Sequence, residues 1–344
     1  MTELRTLGRT LGLTLLISMI GIAGVFWIAG ANILSAFAAL AQGAFGSEHA
    51  ILETLTRATP LMLTGAAVAL AFRAKLWSIG AEGQLFAGAI AGYGMALLVP
   101  GPGWISIPLI LIAGFAGGAA YASIAALLKV RRGVSEIVST VMLNYIALLI
   151  LSLLLLGGPW SDPGAAYEQT PPVPHDSEFP VLVEHSHLHI GIFVALLACA
   201  AVHILITRTS LGYDIRAFGE NPHAYAAKTG DSGRLIFKIM AMSGGLAGLA
   251  GVGEVFGVHH RLLAGISPGY GYGYGYTGIS LAILVRLNLG GIVLAAILFG
   301  GIVSAAIKMQ ILSGVPSAAS YLVQAFILLS FLVSAAVVRR RHVG

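Results

Sequence analysis

The chain has 344 residues, of which 57% are hydrophobic and 10% charged, and its formal net charge is +5. A soluble domain carries about 25% charged residues, so this chain has too few to cover a water-exposed surface of its size. A water-soluble fold is thereby excluded, and with it the reading of the positive charge as a nucleic-acid footprint; the basic residues read as those kept on the cytoplasmic side of a membrane.

In chain order, "MTELRTLGRT" leads into "LGLTLLISMIGIAGVFWIAG" (11–30), which carries no charge. A helix of that length rises roughly 30 Å, one hydrocarbon core. It exceeds the apolar core of a signal peptide, so an uncleaved first helix is expected. Further spans are predicted at 58–73, 84–100, 104–128, 134–157, 189–207, 236–258, 277–287, 288–308 and 318–338. Segment 58–73 is short for a crossing, and 277–287 reads as half of a broken or re-entrant helix. The single cysteine, Cys199, lies inside an apolar segment, so no internal disulfide is available.

The expected fold is an all-α integral membrane protein of about ten transmembrane helices, with one or two short or broken spans. It would form one transmembrane domain over 1–344. Placing both termini in the cytoplasm leaves only Arg57, Arg261 and Lys308, of the 19 lysines and arginines, outside the cytoplasmic side. Two loops then stand out. The proline- and acid-rich 158–188 would be extracytoplasmic, and the polar, basic 208–235 cytoplasmic. No G-x-x-x-x-G-K-[ST] occurs, so any ATP hydrolysis would belong to another chain.

Within this frame four stretches carry polar chemistry. "LWSIGAEGQLFAGA" (76–89) sets Glu82 and Gln84 among glycines, either as a discontinuous helix lining a solute path or as an ordinary turn. "SEIVSTVMLNYIALL" (135–149) puts Ser135, Ser139 and Asn144 roughly on one helical face, for solute contact or for interhelical hydrogen bonding. "EHSHLH" (184–189) spaces His185, His187 and His189 by two beside Glu184, either as three imidazoles on one side of a strand that could hold a metal or as an exposed loop that needs none. "RAFGENPHAYAAKTGD" (216–231) reads as a turn at Asn221-Pro222 opening a short helix closed by Gly230. Last, "SPGYGYGYGYTG" (267–278) repeats Gly-Tyr before the short span; Tyr274 and Tyr276 lie nearest to it, as pathway wall, hinge or interfacial anchor.

Taken together, "ATPLMLTGAAVALAFRAKLWSIGAEGQL" (58–85), "VSEIVSTVMLNYIA" (134–147), "HIGIFVAL" (189–196), "RTSLGYDIRAFGENPHAYAAKTGD" (208–231) and "SPGYGYGYGYTGISLAILVRLNLGGIVLAAILFGG" (267–301) resemble a permease subunit of an ATP-binding-cassette importer. The likeness is to the simple-sugar and nucleoside branch of the branched-chain amino acid and ribose-type permeases. Val285, Leu289 and the extra Gly-Tyr copies depart from that pattern.

The resemblance implies a non-enzymatic transport subunit in the bacterial cytoplasmic (inner) membrane. Its partners would be an ATPase subunit, a second permease that is identical or homologous, and an extracytoplasmic solute-binding lipoprotein. No cofactor is expected in this chain; ATP and Mg would sit on the ATPase. Coupling to that ATPase would fall to Gly219, Glu220, Asn221, Pro222, Ala226 and Ala227. The solute pathway would use Glu82, Gln84, Ser139, Asn144, Tyr274 and Tyr276, with no catalytic or metal-binding residue. The expected cargo is a nucleoside or related small polar solute; a simple-sugar permease and an ion-coupled secondary transporter stand as alternatives.

Overall fold

In a computed structural model the described residues are 2–165, 168–229, 232–264, 273–316 and 319–340. They form thirteen α-helices: α1 (Thr2–Ile28), α2 (Ile33–Phe45), α3 (Glu48–Arg73), α4 (Ala81–Leu98), α5 (Gly103–Arg132), α6 (Glu136–Leu155), α7 (Gly191–Arg208), α8 (Ser210–Glu220), α9 (Pro222–Thr229), α10 (Gly233–Glu254), α11 (Tyr274–Leu284), α12 (Leu289–Ser313) and α13 (Ala319–Arg340). A π-helical turn, Val255–His259, extends α10. Among the described residues β-pairing is limited to two isolated bridges, Gln169 with Leu263 and Val181 with His189.

Six of these helices are long and apolar enough to cross a membrane: α3, α5, α6, α7, α10 with its π-turn, and α12. A seventh span results if α1 and α2, bent by 111° at the break between them, count as one. α11 has 11 residues, about 16 Å of rise. This is therefore a multi-pass, all-helical membrane protein with a short helix where the sequence placed one.

Two elements differ from the sequence reading. α3 begins at Glu48 rather than near 58, and its 26 residues give a rise of about 39 Å. The charges that marked the expected boundary pair with each other: Arg57 Nη2 lies 2.9 Å from Glu53 Oε1, one helical turn earlier. No span was expected over 31–57, yet α2 forms there. Asn32 caps it by accepting from the Leu34 and Ser35 N–H groups.

The contacts divide the chain into two compact units, one of residues 1–58 and 297–344, the other of 59–296. In the first, Phe26, Ala36, Ala39, Ile302, Met309 and Val323 form the core. The second is organised by small residues. α10 packs against α4 and α5 at Gly88, Gly114, Gly118, Gly244 and Gly248, where backbone meets backbone. A methyl group on Gly248 would collide with the Gly114 carbonyl oxygen, and one on Gly118 with the Gly244 oxygen. Lipid tails are as apolar as leucine, so close backbone approach of this kind is a main source of helix association in a bilayer.

Within this second unit the polar ends of the helices sort into two groups. The turn after α3, the basic end of α5 and the start of α6 lie together, through Lys129, Glu136 and Trp77. At the other end, residues 168–179 run beside 256–264, with backbone hydrogen bonds from Val173 to His260 and from Phe179 to Phe256. Tyr93 of α4 reaches this layer through its hydroxyl, which donates to the Pro171 carbonyl at 3.1 Å. The long loop of the sequence reading is thus packed: Thr170 and Ser177 are fully buried.

Overpacking a tight interface costs roughly 1–3 kcal/mol. Gly248→Leu is expected to lower the unfolding temperature of the detergent-solubilised protein clearly. Gly24→Ala, where the new methyl meets nothing within 4 Å, is expected to leave it unchanged.

Candidate functional site

After α3 the chain turns at Lys75, which adopts φ 55°, and residues 76–80 run non-helically back into the protein. Leu76 and Ser78 are buried there. Non-helical backbone at membrane depth survives only where its N–H and C=O groups find partners in protein or water. α6 supplies them. Glu136, Thr140 and Asn144 follow at intervals of four, so they lie above one another on one helical face.

The Glu136 carboxylate accepts from the Trp77 N–H at 3.3 Å and is held by Lys129. The Thr140 hydroxyl accepts from the Ile79 N–H at 3.0 Å while donating to the Glu136 carbonyl at 2.6 Å. Asn144 Oδ1 accepts from the Gly83 N–H at 2.8 Å, and its Nδ2 donates to the Ile79 carbonyl at 2.8 Å. The segment therefore climbs two turns of α6, about 12 Å. Gly83 has no room for a side chain, since a Cβ would lie 2.9 Å from Asn144 Cα.

α11 begins at the top of this ladder. Gly273, at φ 65°, turns the chain into the helix. Glu82 Oε2 accepts from the Gly275 N–H at 2.7 Å, and a carboxylate is favoured against the free N–H groups of a helix start. From α3, the Thr64 hydroxyl donates to the Tyr274 carbonyl at 3.0 Å. Asn144 Nδ2 also donates to the Tyr276 hydroxyl at 3.2 Å. Glu82, Asn144, Tyr274 and Tyr276 thus converge. Tyr274 is buried, whereas Tyr276 is 45% exposed.

Two other pathway candidates sit differently. Gln84 is buried at 2% exposure with its Oε1 lacking a hydrogen-bond partner. The Ser139 hydroxyl bonds within its own helix, to the Ser135 and Glu136 carbonyls at 3.1 and 3.3 Å. Residues 267–272 of the Gly-Tyr run lie outside the described residues.

The segment 208–229 is mostly helical. Thr209 caps α8 by accepting from the Gly212 N–H at 3.0 Å, and Arg216 fastens α8 to α7 by donating to the Ile206 carbonyl. Asn221 caps α9 by accepting from the Ala224 N–H at 3.0 Å, with Pro222 at the first helical position. Gly230, the expected end of α9, lies outside the described residues. Between the two helices is an open groove of about 190 Å³ lined by Tyr213, Asp214, Ala217, Asn221, Ala224, Tyr225 and Lys228. Glu220, Asn221 and Ala227 are exposed and Ala226 half-buried. Gly219 is buried against the end of α3, where a Cβ would strike the Arg73 carbonyl oxygen.

The histidines of 184–189 part company. His185 and His187 are exposed, while His189 is buried and accepts from the Gly191 N–H at 3.1 Å. Among the described residues no three His, Cys, Asp or Glu side chains gather to hold a metal ion.

Thr140, part of the polar stretch read over 135–149, and Glu136, Thr64 and Arg73 were not assigned to the pathway from the sequence. The spacing of four from Glu136 to Thr140 to Asn144 was the signal available for the first two. Nothing local marks Thr64 or Arg73, because their partners are more than two hundred residues away.

A multi-pass helical bundle whose buried polar groups surround a non-helical segment and a half-length helix is an arrangement that solute transporters use. The comparisons narrow the class. Residues 50–332 match the family described as branched-chain amino acid transport system, permease component, and the chain belongs to that family. It is 35% identical to the guanosine ABC transporter permease of Bacillus subtilis strain 168 over 89% of this chain and 87% of that one. It is 33% identical to the glucose ABC transporter permease of Haloferax volcanii over 87% of this chain and 80% of the relative. The nucleoside ABC transporter permease of Lactococcus lactis is 33% identical over 74% of this chain and 72% of its own. No solved structure matches the chain. The protein is a permease subunit of an ABC importer, a transport component rather than an enzyme, and such permeases work with an ATPase and a solute-binding protein.

Asn144→Leu is expected to leave the buried Gly83 N–H and Ile79 C=O unpaired, at about 1–3 kcal/mol for each group. Thermal unfolding in detergent checks this. Asn144→Asp, which keeps the acceptor for Gly83 and loses the donors, should fall between wild type and the leucine variant.

Proposed function

We propose that this chain forms part of the translocation pathway of a nucleoside importer, with Tyr276 facing the solute and Asn144 holding the tyrosine hydroxyl in place. The observation that carries the reading is the half-exposed Tyr276 ring at the head of α11, its hydroxyl fixed by the Asn144 amide at 3.2 Å. A nucleobase offers a flat face to stack on such a ring, and its ribose offers hydroxyls to amides and carbonyls. Two of the three relatives described above are named for guanosine or nucleosides. The third, named for glucose, keeps a simple sugar as the second reading. Gln84, Ser139 and Tyr274 belong to the wall behind these two residues, and Glu82 holds the start of α11 without lining the pathway.

In this reading the chain crosses the bacterial cytoplasmic membrane ten times. α4 and α13 add full crossings, and α11, too short to cross as a helix alone, is the short or broken span of the ten. Both termini then lie in the cytoplasm, which keeps nearly all basic residues on that side. A second permease, identical or homologous, completes the pathway. An extracytoplasmic lipoprotein delivers the solute to the layer built from 168–190 and 256–264. The ATPase, carrying ATP and Mg, receives α8 and α9 through Gly219, Glu220, Asn221, Pro222, Ala226 and Ala227. Closure of the ATPase would then be converted into movement of the bundle.

Two measurements test this. In vesicles containing the full importer, unlabelled guanosine should compete with labelled nucleoside uptake and glucose should not. Tyr276→Ala should raise the KM for nucleoside by about 5–10-fold, the loss of a stacking contact of about 1–1.5 kcal/mol. Competition by glucose alone would overturn the nucleoside assignment in favour of the sugar. Separately, Asn221→Arg or Ala226→Glu should abolish uptake with membrane insertion intact, measured by transport alongside quantitation of the inserted chain. Uptake that survives both would remove α9 from the ATPase contact.

A further inference from the structure

α11 is tied at both of its ends to the residues that flank the connection between α3 and α4, Arg73 at the end of α3 and Glu82 in the first turn of α4. At its start, the Glu82 carboxylate accepts from the Gly275 N–H at 2.7 Å. Past its end, Arg73 Nη2 donates to the Leu287 carbonyl at 3.1 Å. The backbone between α11 and α12 is turned sharply there, with Arg286 and Leu287 at φ 51° and 61°. A carbonyl in such a turn has no partner within a regular helix, so the guanidinium supplies one.

The same α3–α4 connection touches the cytoplasmic helices directly. Gly219 of α8 lies on the Arg73 carbonyl and on Ala74, with no space for a side chain between them. A push on α8 is thus delivered, through backbone, to the residue whose side chain grips one end of α11. Nine residues further on, Glu82 grips the other. Between the two grips, residues 77–83 are fixed to α6 by the Glu136, Thr140 and Asn144 ladder.

We propose that Arg73 and Glu82 are positioning residues that clamp α11 so that displacement of α8 moves α11, and Tyr276 with it, as one piece. The clamp rests on the importer reading above and adds to it the route by which ATPase movement reaches the pathway. Neither residue needs to touch solute. Both act by keeping a half-length helix, too short to hold its own place in a bilayer, attached to the element that the cytoplasmic helices press upon.

The test uses the complete importer in proteoliposomes, with its ATPase and binding protein, and reads solute transported per ATP hydrolysed. Glu82→Ala and Arg73→Ala are expected to lower that ratio about tenfold, with KM for solute and the ATPase rate within about twofold of wild type. Glu82→Gln should recover most of the ratio, because its amide oxygen still accepts from the Gly275 N–H. A merely structural role would lower transport and ATPase activity in proportion, with less inserted protein, and would overturn the clamp. A raised KM at unchanged turnover would also overturn it, making the residue a solute contact. If Glu82→Ala does not insert, Arg73→Ala decides by the same ratio. Failure of the underlying reading is separate: wild-type uptake without ATP would overturn the importer reading itself.

Discussion

The arrangement of the larger unit depends on the hydrogen bonds by which α6 receives the chain between α3 and α4. Residues 76–80 enter the protein without helical structure, and α4 starts at Ala81 with its first N–H groups lacking partners within the helix. Each of these backbone groups left unpaired in the interior would cost about 1–3 kcal/mol. Three side chains on one face of α6 remove the problem: a carboxylate, a hydroxyl and an amide, taking Trp77, Ile79 and Gly83 in turn. Asn144 is the most economical of these. Its oxygen holds one N–H and its two amide hydrogens hold the Ile79 carbonyl and the Tyr276 hydroxyl, so its bonding capacity is nearly used up.

Once the re-entrant segment is fixed, the position of α11 follows. The ladder delivers Glu82 to the depth where α11 starts, and the carboxylate supplies the acceptor that the helix start lacks. Glycine is required on both sides of this junction. Gly275 lies against the backbone of Ala81 and Glu82, and Gly278 against Thr64. The glycine-packed contacts of α10 with α4 and α5 give the junction a rigid backing, because helices in backbone contact have few alternative rotamers to explore. The result is a stiff frame holding one short helix that is tethered at both ends.

How much of this was legible beforehand varies by residue. The short helix before the 290s was visible as an apolar run too brief to cross a bilayer and flanked by glycine. Asn144 was visible because an amide in a lipid-facing sequence must find partners. The helix over 222–229 was visible from Asn221-Pro222, a cap followed by the residue suited to the first turn. The start of α3 was misplaced because Glu53 and Arg57 look like a boundary in sequence and form an internal ion pair in the helix. α2 was missed because a bent helix leaves no period of its own across the break. On α6, Ser135, Ser139 and Asn144 were read as roughly one polar face, for solute contact or for interhelical bonding; Asn144 does bond to another element, whereas Ser139 satisfies its own backbone and Thr140 serves Ile79.

The sequence by itself determined that the chain lives in a membrane, where most helices lie and to which family it is akin. These properties depend on local composition, on the length of apolar runs and on motifs within a few residues. Only the tertiary structure decided what the polar residues do. Glu82 meets Gly275, Arg73 meets Leu287, Thr64 meets Tyr274 and Gly219 meets Arg73, each across a sequence distance that no local pattern encodes. The physical reason is that a buried donor or acceptor demands a partner without specifying which one. The identity of that partner is settled by helix packing, and here the packing is set by where glycine allows two backbones to touch.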